Sequence, residues 1–316
     1  MMMHSGVPKQ PTQNMVSAGR AGESLLQLIT ASELTFAMEG HDGLSAAIVE
    51  RAGFKVLWAS GLSISSSLGY RDANEASWSE VVNVVERMAD AVQIPILVDG
   101  DSRFGNFNNA RLMASKLRRC GASGVCLEDK VFPKMNSFVG DRHPLAETAE
   151  FCGRLKAIKD RIPDPEFVLV ARIEALIAGR VMDEALARAY AYAEAGADAV
   201  LIHSCRSDAE EIFAFTRAWQ NRLPVVIVPT KYYRTPVSAY RAAGISMVIW
   251  ANHNLRAATA AMRHICDRIV REETIAGIES EVATLDEVFE LLKYEELAAA
   301  EERYLPQKAS GVRQPV

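Results

Sequence analysis

Short apolar and β-branched runs recur along the chain at positions 34–38, 55–59, 96–98, 124–127, 167–171, 199–202, 225–228 and 247–250. Runs of this length, apolar on both faces, fit strands that are covered on both sides. Between them the spacing becomes helical. The clearest case is Trp78, Val81, Val82, Val85, Met88, Ala89 and Val92, which fall on one stripe of a helix. Ser77 and Glu80 stand three apart at its start and predict a capping box. Four strands follow a Gly, at Ala52-Gly53, Cys120-Gly121, Ala195-Gly196 and Ala243-Gly244. Such a Gly suits the left-handed turn that closes the preceding helix.

Eight strands alternating with helices predict the α/β class, as a closed parallel (β/α)8 barrel of the TIM type. An open doubly wound sheet is the rival, but no G-x-G-x-x-G follows the first strand. Beyond the eighth helix, Thr284 and Glu287 predict a second capping box, and Leu285, Val288, Phe289 and Leu292 form an apolar stripe. That surplus helical segment needs cover, from its own barrel or from a neighbouring subunit. Residues 1–23 lack sustained periodicity and are expected to be a flexible tail. A single barrel domain with C-terminal helices is expected over 24–306, followed by a short tail over 307–316.

Composition narrows the functional classes. Among 316 residues, 35 Lys and Arg stand against 40 Asp and Glu, for a net charge of −5. This balance argues against an electrostatic nucleic-acid binder. With 49% hydrophobic residues the chain can bury a large core. Five cysteines without a C-x-x-C pair fit a reducing compartment better than a disulfide framework or a zinc site. No apolar run reaches the ~18 residues of a membrane span. The expected location is the cytoplasm.

Catalytic groups in such a barrel come from the C-terminal ends of the strands. The residues there are Glu39 and His41; Ser60 and Gly61; Asp99 and Asp101; Glu128, Asp129 and Lys130; Arg172 and Glu174; His203 and Ser204; Thr230 and Lys231; Asn252 and His253. One polar residue after a strand is ordinary, whereas eight strands ending this way on one rim point to a site. Asp99, Asp101, Glu128 and Glu174 are hard oxygen donors of the kind that hold Mg2+ together with its waters. The alternative is mutual solvation or pairing with Lys130 and Arg172. Arg172, His203 and Lys134 are cationic partners for a phosphate or carboxylate. The long polar insertion between Asp129 and Leu145 reads as a lid that brings in Lys134 and Asn136 on closing.

Several motifs then resemble those of one family, in the same order along the chain. They are Met38-Glu-Gly-His-Asp-Gly-Leu-Ser45, Trp58-Ala-Ser-Gly-Leu-Ser63, Arg71-Asp-Ala-Asn-Glu-Ala-Ser-Trp78, Gly105-Asn-Phe-Asn-Asn-Ala110, Glu128-Asp-Lys-Val-Phe-Pro-Lys-Met-Asn-Ser137, Val228-Pro-Thr-Lys-Tyr-Tyr233 and Val248-Ile-Trp-Ala-Asn-His-Asn-Leu-Arg256. Together they are similar to the phosphoenolpyruvate mutase branch of the isocitrate lyase/phosphoenolpyruvate mutase superfamily. The resemblance implies a Mg2+-dependent barrel whose last barrel helix is exchanged between subunits, in a homotetramer built as a dimer of dimers. It implies an isomerase that interconverts phosphoenolpyruvate and phosphonopyruvate by moving a phosphoryl group within one molecule, the step that forms the carbon–phosphorus bond in phosphonate biosynthesis. It further implies Asp99 as the direct metal ligand, with Asp101 and Glu128 holding metal-bound waters. Ser60, Gly61 and Leu62, under Trp58, would bind the carboxylate end. Asp72 would stand beside the migrating phosphorus, as nucleophile or as orienting group. Arg172, His203 and Asn136 would contact the phosphoryl group, with Lys134 nearby.

The nearest rival is phosphonopyruvate hydrolase, whose resemblance would put Thr where Asn136 stands. Carbon–carbon lyases of the superfamily carry a Lys-Lys-Cys-Gly-type loop, which is replaced here by Asp-Lys-Val-Phe-Pro-Lys. A non-catalytic barrel subunit is a further alternative, disfavoured by the retained Asp72, Asp99, Asp101, Glu128 and Asn136. The chain departs from the family pattern at Arg103, where Gly is usual, and in the loop Val139-Gly-Asp-Arg-His before Pro144. The family also implies a phosphonopyruvate decarboxylase as pathway partner, because formation of phosphonopyruvate is expected to be uphill.

Overall fold

The structure, a computed structural model, describes residues 22–102, 105–134, 136–137 and 144–306. Arg103, the Val139-Gly-Asp-Arg-His stretch, the C-terminal tail and all but the end of the N-terminal tail lie outside the described residues. In chain order the first half comprises α1 (Leu25–Thr30), β1 (Thr35–Gly40), α2 (Gly43–Arg51), β2 (Val56–Ala59), α3 (Gly61–Ser67), α4 (Trp78–Ala91), β3 (Ile96–Asp99), α5 (Phe107–Arg119) and β4 (Gly124–Glu128). The second half comprises α6 (Thr148–Arg161), β5 (Val168–Ile173), α7 (Met182–Glu194), β6 (Ala199–Ile202), α8 (Glu210–Trp219), β7 (Val225–Ile227), α9 (Val237–Ala242) and β8 (Met247–Trp250). Three C-terminal helices follow: α10 (His253–Glu272), α11 (Leu285–Leu291) and α12 (Tyr294–Tyr304).

The eight strands pair in parallel in the order β1 to β8, and β8 closes on β1 through Thr35–Met247 and Ala37–Ile249. All eight predicted strands are present; β6 and β8 keep the expected bounds, and the other six differ at one or both ends by one or two residues. Because side chains alternate along a strand, each run divides into two faces. Leu57, Val98, Val125, Leu169 and Val200 face outward and pack under the helices. Val56, Trp58, Leu97, Cys126, Val170, Leu201, Val226 and Ile249 fill the inside, and Leu25, Leu28 and Ile29 of α1 plug its lower end.

Helix α4 starts as predicted. Ser77 accepts from the Glu80 N–H while the Glu80 side chain accepts from the Ser77 N–H. Its Val81, Val84, Val85 and Met88 are buried, each stabilising by about 1.5–3 kcal/mol as apolar side chains removed from water. The four glycines that precede strands all have positive φ, for example +90° at Gly53 and +98° at Gly196. The second predicted capping box also forms, at Thr284 and Glu287. Its helix finds little cover: Leu285 is 71% and Leu292 52% exposed, and α10 to α12 contain no buried residue.

Candidate active site

The inward-facing series of each strand continues past its apolar segment into polar residues. Two steps on from Trp58 is Ser60; Leu97 leads to Asp99, Cys126 to Glu128, Val170 to Arg172 and Leu201 to His203. The same alternation that fills the barrel therefore delivers charged groups to its upper mouth. Ser60, Asp99, Arg172 and His203 line a cavity of ≈ 50 Å³ together with Leu62, Asp72, Lys134, Asn136, Ser137, Thr230 and Asn252, and Glu128 lies beside it, 3.5 Å from Arg172. A larger groove of ≈ 760 Å³ lies at the other end of the barrel, against α1. Among its lining residues only Glu33 and Arg241 are charged.

Lys134 is the electrostatic centre. Its Nζ lies 2.5 Å from Asp101 Oδ1 and 3.0 Å from Asp72 Oδ1. Burial opposes its charge, but Asp101, Glu128, Asp72 and Asp99 together hold its ammonium well above the usual lysine range. Burial likewise pushes the Asp72 carboxyl up, yet the charge of Lys134 and a hydrogen bond from Asn136 outweigh it, and the net direction is down. The Asn136 amide donates to Asp72 Oδ2 at 2.5 Å.

A second cluster surrounds Glu174. This fully buried carboxylate lies 2.5 Å from Arg172 Nε, 3.0 Å from His203 Nδ1 and 3.0 Å from Lys130 Nζ. It also accepts from the Ser137 hydroxyl at 2.9 Å, and Ser137 in turn accepts from Lys130. Burial favours the neutral acid, but the charges of Arg172 and Lys130 and the hydrogen bond with His203 hold Glu174 well below the carboxylate range. Burial lowers His203 in spite of Glu174, so its imidazole is poised neutral. Glu174 thus takes the alternative role set out from its sequence, pairing with Lys130 and Arg172 rather than joining the other carboxylates.

The remaining carboxylates offer hard oxygen donors to a divalent cation. Glu128 Oε1 is buried with no hydrogen-bond partner among the described residues. At Gly61 an added Cβ would stand 3.0 Å from Asp101 Oδ1 and 3.1 Å from Asp99 Oδ2, so glycine is what allows the two carboxylates to lie against α3. Among the described residues no three Asp, Glu, His or Cys side chains converge into a closed metal centre. This donor set suits a cation such as Mg2+, which keeps much of its coordination for water and substrate.

Asp72, Asp99, Lys134, Asn136, Arg172, His203, Trp58, Ser60 and Leu62 all line the cavity. Gly61 donates its N–H to Asp99, and Asp101 contacts Lys134. Glu128 is 3.5 Å from Arg172. The sequence does not single out Asn74, yet its Oδ1 accepts from the Lys134 N–H at 2.6 Å and its Nδ2 donates to Asp101 at 3.2 Å. Its φ of +57° gives a signal only in the fold, since Asn tolerates this region better than most residues. Asp129, named only as a strand-end residue, supports the site from behind. It accepts from Tyr192 at 2.6 Å and from the Glu174 N–H at 2.9 Å, with Arg188 at 3.2 Å.

A family profile described as phosphoenolpyruvate phosphomutase matches residues 25–270. A phosphoenolpyruvate phosphomutase of Streptomyces hygroscopicus is 53% identical over 285 residues, covering 90% of this chain and 91% of that protein. The crystal structure of phosphoenolpyruvate phosphomutase from Streptomyces platensis subsp. rosaceus superposes with a TM-score of 0.86 at 42% identity, covering 88% of this chain and 97% of the other. A crystal structure of phosphonopyruvate hydrolase in complex with oxalate and Mg2+ superposes with a TM-score of 0.84 at 37% identity, covering 89% and 98%.

Proposed function

We infer the reaction from one premise: the chain belongs to the phosphoenolpyruvate phosphomutase family. It is an isomerase that interconverts phosphoenolpyruvate and phosphonopyruvate. The phosphorus–oxygen bond of the enol phosphate breaks, a bond from phosphorus to C3 forms, and the enol oxygen becomes a ketone oxygen. No atom is gained or lost. The hydrolase reading differs only in whether water captures the phosphoryl group.

The observation that carries the mutase reading is the contact of Asn136 with Asp72 at the cavity wall. Asp99 is the proposed direct ligand of Mg2+, with Asp101 and Glu128 holding its waters, and Glu128 Oε1 is left open to such a water. Bound there, the ion would neutralise charge on the substrate's carboxylate and enol oxygens. Ser60, Gly61 and Leu62 at the start of α3 bind the carboxylate, and Trp58 forms an apolar wall. Arg172, the Asn136 amide and neutral His203 hold the phosphoryl oxygens as charge spreads over them in a loose transition state. Asp72 stands beside the phosphorus, and Lys134 keeps its carboxylate ionised. Lys134, Asn136 and Ser137 wall one side of the cavity, with Lys134 buried, and so restrict the approach of water to the reactive group.

The exposed apolar residues of α10 to α12, with Val270 81% and Leu285 71% exposed, favour cover by a second copy. A helix-exchanged dimer, paired again into a tetramer, is the proposed assembly. No helix among the described residues is long and apolar enough to cross a membrane, and the proposed location is the cytoplasm. A decarboxylase that consumes phosphonopyruvate is the proposed pathway partner. Incubation with phosphonopyruvate and Mg2+ tests the activity: phosphoenolpyruvate must form, and chelation of the metal must stop it.

A further inference from the structure

Asn252 occupies the N-cap of α10 but makes no capping hydrogen bond. An Asn oxygen at this position ordinarily accepts from a backbone N–H two or three residues further on. Here Glu39, at the end of β1, takes that role. Its Oε2 accepts from Asn254 N at 2.9 Å and Leu255 N at 3.1 Å, while Oε1 lies 2.7 Å from His41 Nδ1. Glu39 is wholly buried, and its own carbonyl accepts from the Asn254 side chain at 2.8 Å. The carboxylate is therefore fixed on the helix end, and the Asn252 side chain is released from it.

The released amide lines the catalytic cavity. Asn252 is only 7% exposed, and its Oδ1 is buried without a hydrogen-bond partner among the described residues. A buried polar atom left unmade costs stability, so a site that retains one has a use for it. Its neighbours on the cavity wall are Val228, Thr230 and Ala251, which carry no charge. In the closed barrel, β7 and β8 stand across from β3 and β4, which carry Asp99 and Glu128. This wall thus stands across the barrel mouth from the proposed metal ligands Asp99 and Glu128.

We propose that Asn252 is a substrate-binding residue, its amide donating a hydrogen bond to an anionic oxygen of the three-carbon phospho-acid, and that Glu39 is the positioning residue that frees it. Which end of an amide faces the cavity is set by its partners. With none to fix Oδ1, a half-turn presents Nδ2–H to an anion. The inference rests on the mutase reading above. A neutral donor recognises the anion on the side opposite the carboxylates without adding a cation to Lys134 and Arg172.

Steady-state kinetics with phosphonopyruvate and Mg2+ test it. Asn252→Ala raises KM about tenfold, the loss expected for a hydrogen bond to a charged group, and keeps its thermal midpoint because Glu39 still caps α10. Asn252→Asp, of equal shape but negative, raises KM further. In a Glu39→Ala background, where Asn252 is free to turn and cap its own helix, Asn252→Ala adds less than about twofold, a non-additivity expected of coupled residues. An unchanged KM in both Asn252 variants, or a fall in midpoint without a change in KM, overturns the proposal. A wild-type protein inert towards phosphonopyruvate overturns the reading beneath it and the proposal with it.

Discussion

Asn136 and Asp72 are 64 positions apart in the sequence, and their side chains meet at 2.5 Å over the catalytic cavity. One belongs to the segment after β4 and the other to the loop after α3, and their contact joins the two segments at the cavity wall. Replacing Asn136 by Ala removes a preorganised donor. Turnover is expected to fall by about 10²–10³-fold, as for loss of a single transition-state donor, with circular dichroism unchanged. Full turnover in this variant would take Asn136 out of the mechanism.

Lys134 balances Asp72, Asp99, Asp101 and Glu128 from a position only 6% exposed. Lys134→Ala leaves these carboxylates without their ammonium, and unpairing a buried charge costs about 3–5 kcal/mol. Urea unfolding in chelator should report that loss. Mg2+ should restore more stability to the variant than it adds to the wild type, since the cation supplies the missing charge. Equal Mg2+ responses in both proteins would separate Lys134 from the proposed metal ligands.

Complete burial pushes the Asp129 carboxyl up to about 6 from 3.8, against the Tyr192 hydrogen bond, the Glu174 N–H and the Arg188 charge. The folded protein therefore holds this proton to higher pH than the unfolded chain does. The contribution of Asp129 to stability is full below about pH 4 and lost as pH rises to about 6. The amide introduced by Asp129→Asn does not titrate, so the variant's urea midpoint should gain on the wild type steadily over that interval. A constant or shrinking difference would show that Asp129 ionises normally in the fold.

Much of this site is legible in sequence because of the two-residue period of the strands. Once Trp58, Leu97, Cys126, Val170 and Leu201 are placed inside the barrel, Ser60, Asp99, Glu128, Arg172 and His203 must follow on the same face. The capping boxes at Ser77 and Thr284 are equally local, since each needs only two residues three apart. Contacts that join distant loops are not local. Nothing near Asn74 in the chain announces that it holds both Lys134 and Asp101, and Glu174 resembles a metal ligand until Lys130, His203 and Ser137 surround it. Val84 lies outside the predicted helical stripe, yet it is buried under the neighbouring helices.

The central claim is that phosphorus changes its bonding partner inside this cavity before water can reach it. Phosphorus NMR of phosphonopyruvate incubated with the protein and Mg2+ tests this most directly. The account predicts that the phosphonate signal is replaced by that of phosphoenolpyruvate, with no inorganic phosphate growing in alongside it. Release of inorganic phosphate and pyruvate as the main products would contradict it and assign the site to hydrolysis.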